Sequence, residues 1–352
     1  MKNIIVTGGA GFIGSNFVRY ILSKEKQCMI VNVDKLTYAG NLENLKEIEK
    51  NKNYVFEKAD ICNKQKIEEI FNKYDIDTVI NFAAESHVDR SINDPTEFIN
   101  TNIKGTQVLL DVAKKYWTIG DNKYKDNVKY IQISTDEVYG SLDFNNEFFT
   151  EGTALNPHSP YSASKASADM LVKAYYDTYN FPVCITRCSN NYGPYQFPEK
   201  FIPLIINNCL KHKNIPVYGT GENVRDWLFV EDHCSAILKV AKNGKLGEVY
   251  NIGGHNEKSN IEIVKIIINY LHDNIDNSIT EELIQYTKDR KGHDKRYGID
   301  PKKISKELDW NPETKFENGI KSTIEWYLKN EKWLDNIING EYENYYNKMY
   351  RI

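Results

Sequence analysis

The sequence has no Cys-x-x-Cys pair: its 6 cysteines (Cys28, Cys62, Cys184, Cys188, Cys209 and Cys234) are scattered. That spacing excludes a disulfide framework or a zinc ribbon and points to reduced thiols in a cytosolic protein. No apolar run approaches the length of a membrane span, so a transmembrane protein is excluded. The formal net charge is only -4 over 352 residues, so no bulk attraction to nucleic acid or acidic membranes is expected. Internal repeats and low-complexity tracts are also missing. Met1-Lys2-Asn3-Ile4 runs straight into an apolar stretch, which leaves no room for a signal peptide and gives a cytoplasmic expectation. With 41% hydrophobic and 27% charged residues, the composition is that of a globular chain long enough for two domains.

Alternating strand and helix patterns fill the first half. Lys2 to Thr7 reads as a strand and Phe12 to Ser23 as a helix. Between them lies Gly8-Gly9-Ala10-Gly11-Phe12-Ile13-Gly14, which matches GxGxxG through Gly9, Gly11 and Gly14. Glycines permit the tight turn and close approach of a pyrophosphate, and the helix N-terminus supplies amide donors. The next strand, Met29 to Val33, ends in Asp34, ~20 residues past Gly14, where a carboxylate can bind ribose hydroxyls and favour NAD over NADP. Lys35 beside it weakens that preference slightly. Further strands are predicted at Tyr54 to Lys58, ending near Asp60 and Ile61 where an adenine ring fits, and at Thr78 to Phe82. Small residues Ala83 and Ala84 then suit passage of a cofactor. His87 reads as a loop or core histidine. A long helix is predicted from Pro95 to Tyr116, with Asn102 and Thr106 on the side facing the site.

Lys129 to Ser134 reads as a buried strand that turns abruptly polar at Thr135-Asp136-Glu137. In open α/β sheets ligands bind at that edge. Ser159 and Pro160 read as N-cap and first helical residue. A helix starting there puts Tyr161 and Lys165 on one face. A free phenol has a pKa of about 10. A neighbouring ammonium favours the phenolate, so Lys165 is expected to lower the pKa of Tyr161 and fit it to take a proton from a hydroxyl. The expected fold is α/β: a Rossmann-type, doubly wound parallel sheet with a smaller, interleaved C-terminal substrate-binding domain. The division expected is 1–190 for the dinucleotide domain, joined by 226–254, and 191–352 for the remainder.

Thr7 to Gly14 together with Tyr161-x-x-x-Lys165 resembles the extended short-chain dehydrogenase/reductases that act on nucleotide sugars. Four stretches, 34–41, 83–91, 134–140 and 187–200, resemble the branch of 4,6-dehydratases acting on dTDP-glucose. Sugar epimerases of the same fold usually lack the Asp136–Glu137 pair. The resemblance implies a tightly bound, recycled NAD contacted by Gly8, Gly11, Phe12, Ile13, Gly14, Asp34, Lys35, Thr37, Asp60, Ile61, Ala83, Ala84, Glu85, Tyr161, Lys165 and Asn191. It implies C4 oxidation by Tyr161 with Lys165, a hydrogen bond to the C4 oxygen from Thr135, C5 deprotonation by Glu137 and protonation of the departing C6 hydroxyl by Asp136.

For the nucleotide sugar it implies Ser86, Thr135, Asn190 and Lys200. Pro216 and Tyr218 fall in the segment that packs on the base. Asn260, Arg225, Arg290 and Tyr297 complete the set, the arginines facing the diphosphate. Arginine matches phosphate oxygens with two parallel donors. The family usually has proline where Lys291 stands, which puts the stiffness of that loop in doubt. No metal is implied. A 4-epimerase, another nucleotide-hexose dehydratase, or a catalytically dead NAD-binding protein are the alternatives. The last would be expected to have lost Thr135, Tyr161 or Lys165, and all three are present. A homodimer through the two long helices is expected.

Further along, Val183 to Arg187 reads as a buried strand, Phe201 to Lys211 as a helix and Asp226 to Lys242 as loop, short strand and amphipathic helix. Glu248 to Ile252 reads as a strand rejoining the sheet, Asn260 as the start of another helix and Trp310 to Trp333 as closing helices.

Overall fold

The computed structural model describes residues 1–145 and 147–338. The tyrosine-rich stretch after Glu341, to which the sequence assigns no role, lies outside them. Seven strands form one sheet: β1 Asn3–Thr7, β2 Met29–Asp34, β3 Tyr54–Lys58, β4 Thr78–Asn81, β5 Lys129–Thr135, β6 Val183–Cys188 and β7 Val249–Ile252. Their order is β7-β6-β5-β4-β1-β2-β3, and every neighbouring pair is parallel. The chain reverses its direction of travel across the sheet between β1 and β4. At such a switch point the loops diverge and leave a crevice beyond the carboxyl ends of the strands.

Helices cover both faces, which is why β4 and β6 are buried along their whole length and read as near-continuous apolar runs. Alternation along each strand divides the core. Ile4, Val6 and Ile131 pack with Phe17 and Ile237 on one face. Ile5 and Tyr130 pack with Ile67, Leu109 and Val172 on the other. Beneath the switch point Asn81 is fully buried but bonded throughout: it accepts from Thr7 Oγ1 at 2.6 Å and donates to Gln132 Oε1 at 3.0 Å.

The helix Pro160–Tyr179 begins as its sequence indicates. Ser159 and Ser162 form a reciprocal capping box, with proline in the first turn, and Asn180 ends it in the left-handed region at φ 52.

The helix expected from Pro95 to Tyr116 is not uniform. Thr96–Phe98 leads into a π-helical segment, Ile99–Gly105, and α-helix resumes at Thr106–Trp117. Gly105 permits this turn to sit close to β3's exit, because a Cβ there would fall 2.4 Å from Ile61 Cδ1. The wider turn changes which side chains face the crevice. Thr101 lines it, whereas Asn102 and Thr106 do not. Asn102 instead pins the backbone, accepting from Glu85 N at 2.9 Å and donating to Ser164 Oγ at 2.8 Å.

The remainder forms a third core around Tyr192, Ile205, Ile267, Ile320 and Tyr327. A three-stranded sheet orders Glu257–Ser259, Val224–Phe229 and Asn190–Tyr192, and Ile215–Tyr218 pairs with Ile284–Thr287. The expected loop at Asp226 is part of the strand Val224–Phe229. Arg225 and Asp226 hide that strand from an apolar pattern, yet both are buried, and Asp226 accepts amides from Gly254 and Asn256 at 2.8 and 2.7 Å. Among the described residues no helix is long and apolar enough to cross a membrane.

Candidate active site

A cavity of about 320 Å³ runs along the carboxyl ends of β1, β2, β4 and β5. Gly8, Gly11, Phe12, Ile13 and Gly14 form its floor. Gly8 has φ +67, and a Cβ on Gly14 would sit 2.3 Å from the Gly8 carbonyl oxygen. The first-turn amides of the helix Phe12–Lys24 have no intrahelical acceptor, so they face the cavity as anion donors. This cradle fits a dinucleotide pyrophosphate. Gly14→Ala is expected to yield folded protein that purifies without bound dinucleotide, measured as nicotinamide released on heating.

Asp34 sits at the end of β2, where it accepts amides from Leu36 at 2.8 Å and Ala10 at 2.9 Å. Burial raises its pKa, and these two amides oppose the rise. Lys35 is held away from Asp34 by an ion pair with Asp60 at 2.8 Å. Burial alone would raise the Asp60 carboxyl, but Lys35 and the Cys62 amide outweigh it and hold it below its ordinary value. Thr37, Asp60 and Ile61 line this end, Ala83, Ala84, Glu85 and Ser86 the opposite wall, and Asn191 the far end.

The reactive groups gather where β5 ends. Thr135 is its last residue, and a 3-10 turn, Asp136–Tyr139, follows at once. The Thr135 hydroxyl donates to Asp136 Oδ1 at 3.2 Å and accepts from the Glu137 amide at 3.3 Å. Thr135, Asp136, Glu137, Tyr161 and Lys165 all line the cavity. Lys165 Nζ donates to the Ile133 carbonyl at 2.7 Å, which locks its amine beneath the site. Burial lowers its pKa, and Asp169 and Cys188 oppose this.

The Tyr161 phenol departs from expectation. Its pKa lies well above the ordinary value, because burial and then Glu137, Cys188 and Asp136 disfavour the phenolate, while a hydrogen bond with Thr135 opposes them. Two carboxyls and a dry setting outweigh the ammonium one turn away.

Asp136 and Glu137 are adjacent but differently placed. Burial, then Glu137 and Asp226, push Asp136 well above its ordinary value, and its Oδ2 is buried without a hydrogen-bond partner. Burial raises Glu137 too, but Arg225, Arg290 and Lys200 all pull it back. Of the two, Asp136 is the more strongly biased towards its protonated form, the bias that a proton donor needs, and Glu137 the less so. Activity should rise with pH as Glu137 ionises above its ordinary 4.5 and fall at higher pH as Asp136 loses its proton. A bell-shaped kcat/KM profile is the expected result, its two limbs belonging to the coupled pair. A monotonic profile would contradict the division of roles.

A second cavity of about 160 Å³ meets the first at Glu137 and Asn190, which line both. Pro216, Tyr218, Arg225, Asn260, Arg290 and Tyr297 line it, and Lys200 lies at the junction, donating to the Ser86 carbonyl at 3.0 Å. Arg225 is buried, bonded to the Val224 and Asp294 carbonyls at 2.7 and 3.0 Å, with its guanidinium 4.2 Å from the Tyr297 ring centre. Tyr297 donates to Asp294 at 2.5 Å. The loop around Lys291 is stayed by side chains where the family usually has proline: His293 meets Asp289 at 2.7 Å and His158 meets Asp294 at 2.6 Å.

His87 is buried beside Glu199, with 3.9 Å between Nε2 and Oε2, and burial followed by Lys200, Arg290 and Arg90 holds its pKa well below 6.5. Asp89, Glu199, His293 and Asp294 also line the second cavity. Sequence reasoning gave them no role, since isolated charged residues read as surface until the fold buries them.

The sheet, the glycine cradle and the Tyr161–Lys165 pair define an extended short-chain dehydrogenase/reductase. Within that class the chain belongs to the family described as GDP-mannose 4,6 dehydratase, whose model matches residues 5–323. The dTDP-glucose 4,6-dehydratase of Salmonella typhimurium is 53% identical over 357 residues, covering 99% of this chain and 98% of that protein. A crystal structure of the Bacillus anthracis dTDP-glucose 4,6-dehydratase in complex with NAD is 50% identical, with a TM-score of 0.86 over 96% of this chain and 100% of that one. The Streptomyces venezuelae dTDP-glucose 4,6-dehydratase, crystallised with NAD and TYD, is 41% identical, with a TM-score of 0.88 over 95% of this chain and 99% of that one.

Proposed function

We propose that this chain is an NAD-dependent hydro-lyase that converts dTDP-glucose into dTDP-4-keto-6-deoxyglucose. The observation that carries the reading is the Asp136–Glu137 pair, both raised by burial but with carboxylates beside the first and cations beside the second, lining one cavity with Tyr161, Lys165 and the glycine cradle. The close relatives of the same name support it. NAD, when bound, supplies the chemistry of accepting a hydride from C4 of the hexose and returning it to C6.

The chain's own groups move the protons. Tyr161, in the phenolate form that Lys165 and the positive charge of a bound NAD+ would favour, takes the C4 hydroxyl proton, with Thr135 fixing that oxygen. Oxidation at C4 acidifies the C5 proton, and Glu137 removes it. Asp136 protonates the C6 hydroxyl, which leaves as water. Glu137 returns its proton to C5 when the hydride reaches C6, and the proton gained by Tyr161 replaces, through solvent, the one Asp136 gave, so the sugar loses one water and the cofactor and the protein end as they began. Asn191, Glu85 and the Ala83–Ala84 wall hold the cofactor. Ser86, Asn190, Lys200, Pro216, Tyr218, Arg225, Asn260, Arg290 and Tyr297 hold the nucleotide sugar.

In this reading residues 1–190 with 226–254 bind the cofactor and the rest binds the sugar nucleotide, in the cytoplasm. A homodimer would pair the helices Thr106–Trp117 and Pro160–Tyr179, whose neighbourhood exposes Ile99 at 52% and Met170 at 64%. A monomeric mass by light scattering at micromolar concentration would remove the dimer. The activity is tested by offering dTDP-, UDP- and GDP-glucose and identifying the product carbonyl by NMR. A 4-keto-6-deoxy product from dTDP-glucose, with no added NAD consumed, is the expected result. Release of water without a 4-keto product would overturn the reading.

A further inference from the structure

Arg290 and Asp89 lie 201 positions apart and meet as a fork: Nε stands 2.7 Å from Oδ1 and Nη2 donates to Oδ2 at 2.8 Å. Asp89 is buried in the short helix Val88–Asn93, directly after the wall that lines the cofactor cavity. Arg290 sits in the loop after the strand Ile284–Thr287 that covers the second cavity. Both residues line the second cavity, Asp89 from the helix that follows the first cavity's wall and Arg290 from the loop opposite, so the contact joins two segments distant in sequence across that site.

The approach is side-on. One hydrogen bond, from Nη2, anchors the ion pair, while Nε lies 2.7 Å from Oδ1 without a hydrogen bond to it; of the five guanidinium donors, those of Nη1 and the second on Nη2 are left for another acceptor. The Tyr218 ring lies 5.2 Å from the same guanidinium. An arginine side chain otherwise has many rotamers open to it, and the His293–Asp289 and His158–Asp294 contacts that stay this loop hold its neighbours rather than the Arg290 head group. Among the described residues, Asp89 is the one hydrogen-bond acceptor of the Arg290 head group, with the Tyr218 ring beside it.

We propose that Asp89 is a positioning residue for the sugar nucleotide: it holds Arg290 so that the guanidinium's remaining donors meet the diphosphate, without itself touching substrate. This rests on the function proposed above. The test uses full-length Asp89→Asn, Arg290→Ala and the double variant, titrated with dTDP by calorimetry and assayed with dTDP-glucose. Asp89→Asn is expected to weaken dTDP binding about tenfold, the order of one charge-assisted hydrogen bond. The loss should fall on KM rather than kcat, with the bound NAD per chain unchanged. In the Arg290→Ala background the same change should add nothing.

If Arg290→Ala weakens dTDP binding and Asp89→Asn leaves it unaltered or tightens it, the positioning role is overturned while the substrate site stands. If neither change affects binding, the substrate site itself is misplaced and both readings fall. Should Asp89→Asn not fold, Arg290→Lys keeps the charge and loses the fork. A tenfold weakening there supports the proposal, and unchanged affinity overturns it.

Discussion

Asp136→Asn is expected to lower kcat by about 10²–10⁴-fold, the range that a positioned proton donor contributes, while the first half of the reaction survives. The carboxyl is buried, flanked by Glu137 and Asp226, and its Oδ2 is buried without a hydrogen-bond partner. Those conditions favour its protonated form, and a protonated acid can give that proton to a leaving hydroxyl. Asparagine keeps the shape and the bond to Thr135 but has no proton of that acidity. Oxidation at C4 needs only Tyr161, Lys165 and the cofactor. The near-ultraviolet absorbance of reduced nicotinamide should therefore rise on mixing with dTDP-glucose and persist, where the unaltered protein shows only a transient. A variant with no such absorbance and no turnover would place Asp136 before the oxidation step. A variant with normal turnover would remove it from the chemistry.

Local signals explain which parts of this site were legible in the sequence. The strand Tyr54–Lys58 and the helix Pro160–Tyr179 follow from apolar runs and from Ser159-Pro160, which act over one turn. The glycine cradle was legible because a strand and a helix flank it, as its geometry requires. What stayed hidden depends on contacts distant in sequence. The π segment Ile99–Gly105 answers to Ile61 packing on Gly105 and to Glu85 bonding Asn102, and no 3.6-residue period reports either. The strand at Val224–Phe229 is masked by two charged residues whose partners lie elsewhere in the chain. The same holds for the electrostatics: the Tyr161–Lys165 spacing suggested a lowered phenol, but the burial and carboxyls that raise it come from the fold. Asp89 could be paired with Arg290 only once both were placed in space.

Tyr161→Phe is the complementary expectation, because it should stop the reaction at the step before the one that Asp136→Asn blocks. The ring is buried and meets Phe98 edge-on with centres 6.4 Å apart, and phenylalanine preserves that packing, so fold and bound NAD should be retained. Only the hydroxyl is lost, together with its bond to Thr135. Without it no group beside Thr135 is placed to take the C4 proton: the Lys165 amine is committed to the Ile133 carbonyl, and Glu137 is assigned to C5. The expected loss in kcat is again about 10²–10⁴-fold, but now with no reduced-nicotinamide absorbance at any time after mixing. A phenol can take a proton only as its phenolate, a form that burial, Glu137, Cys188 and Asp136 disfavour in the protein alone, so the positive charges of Lys165 and of a bound NAD+ would have to favour it during the reaction. If Tyr161→Phe oxidised C4 at the normal rate, the base would have to be another group, and the cavity's chemistry would need a different arrangement.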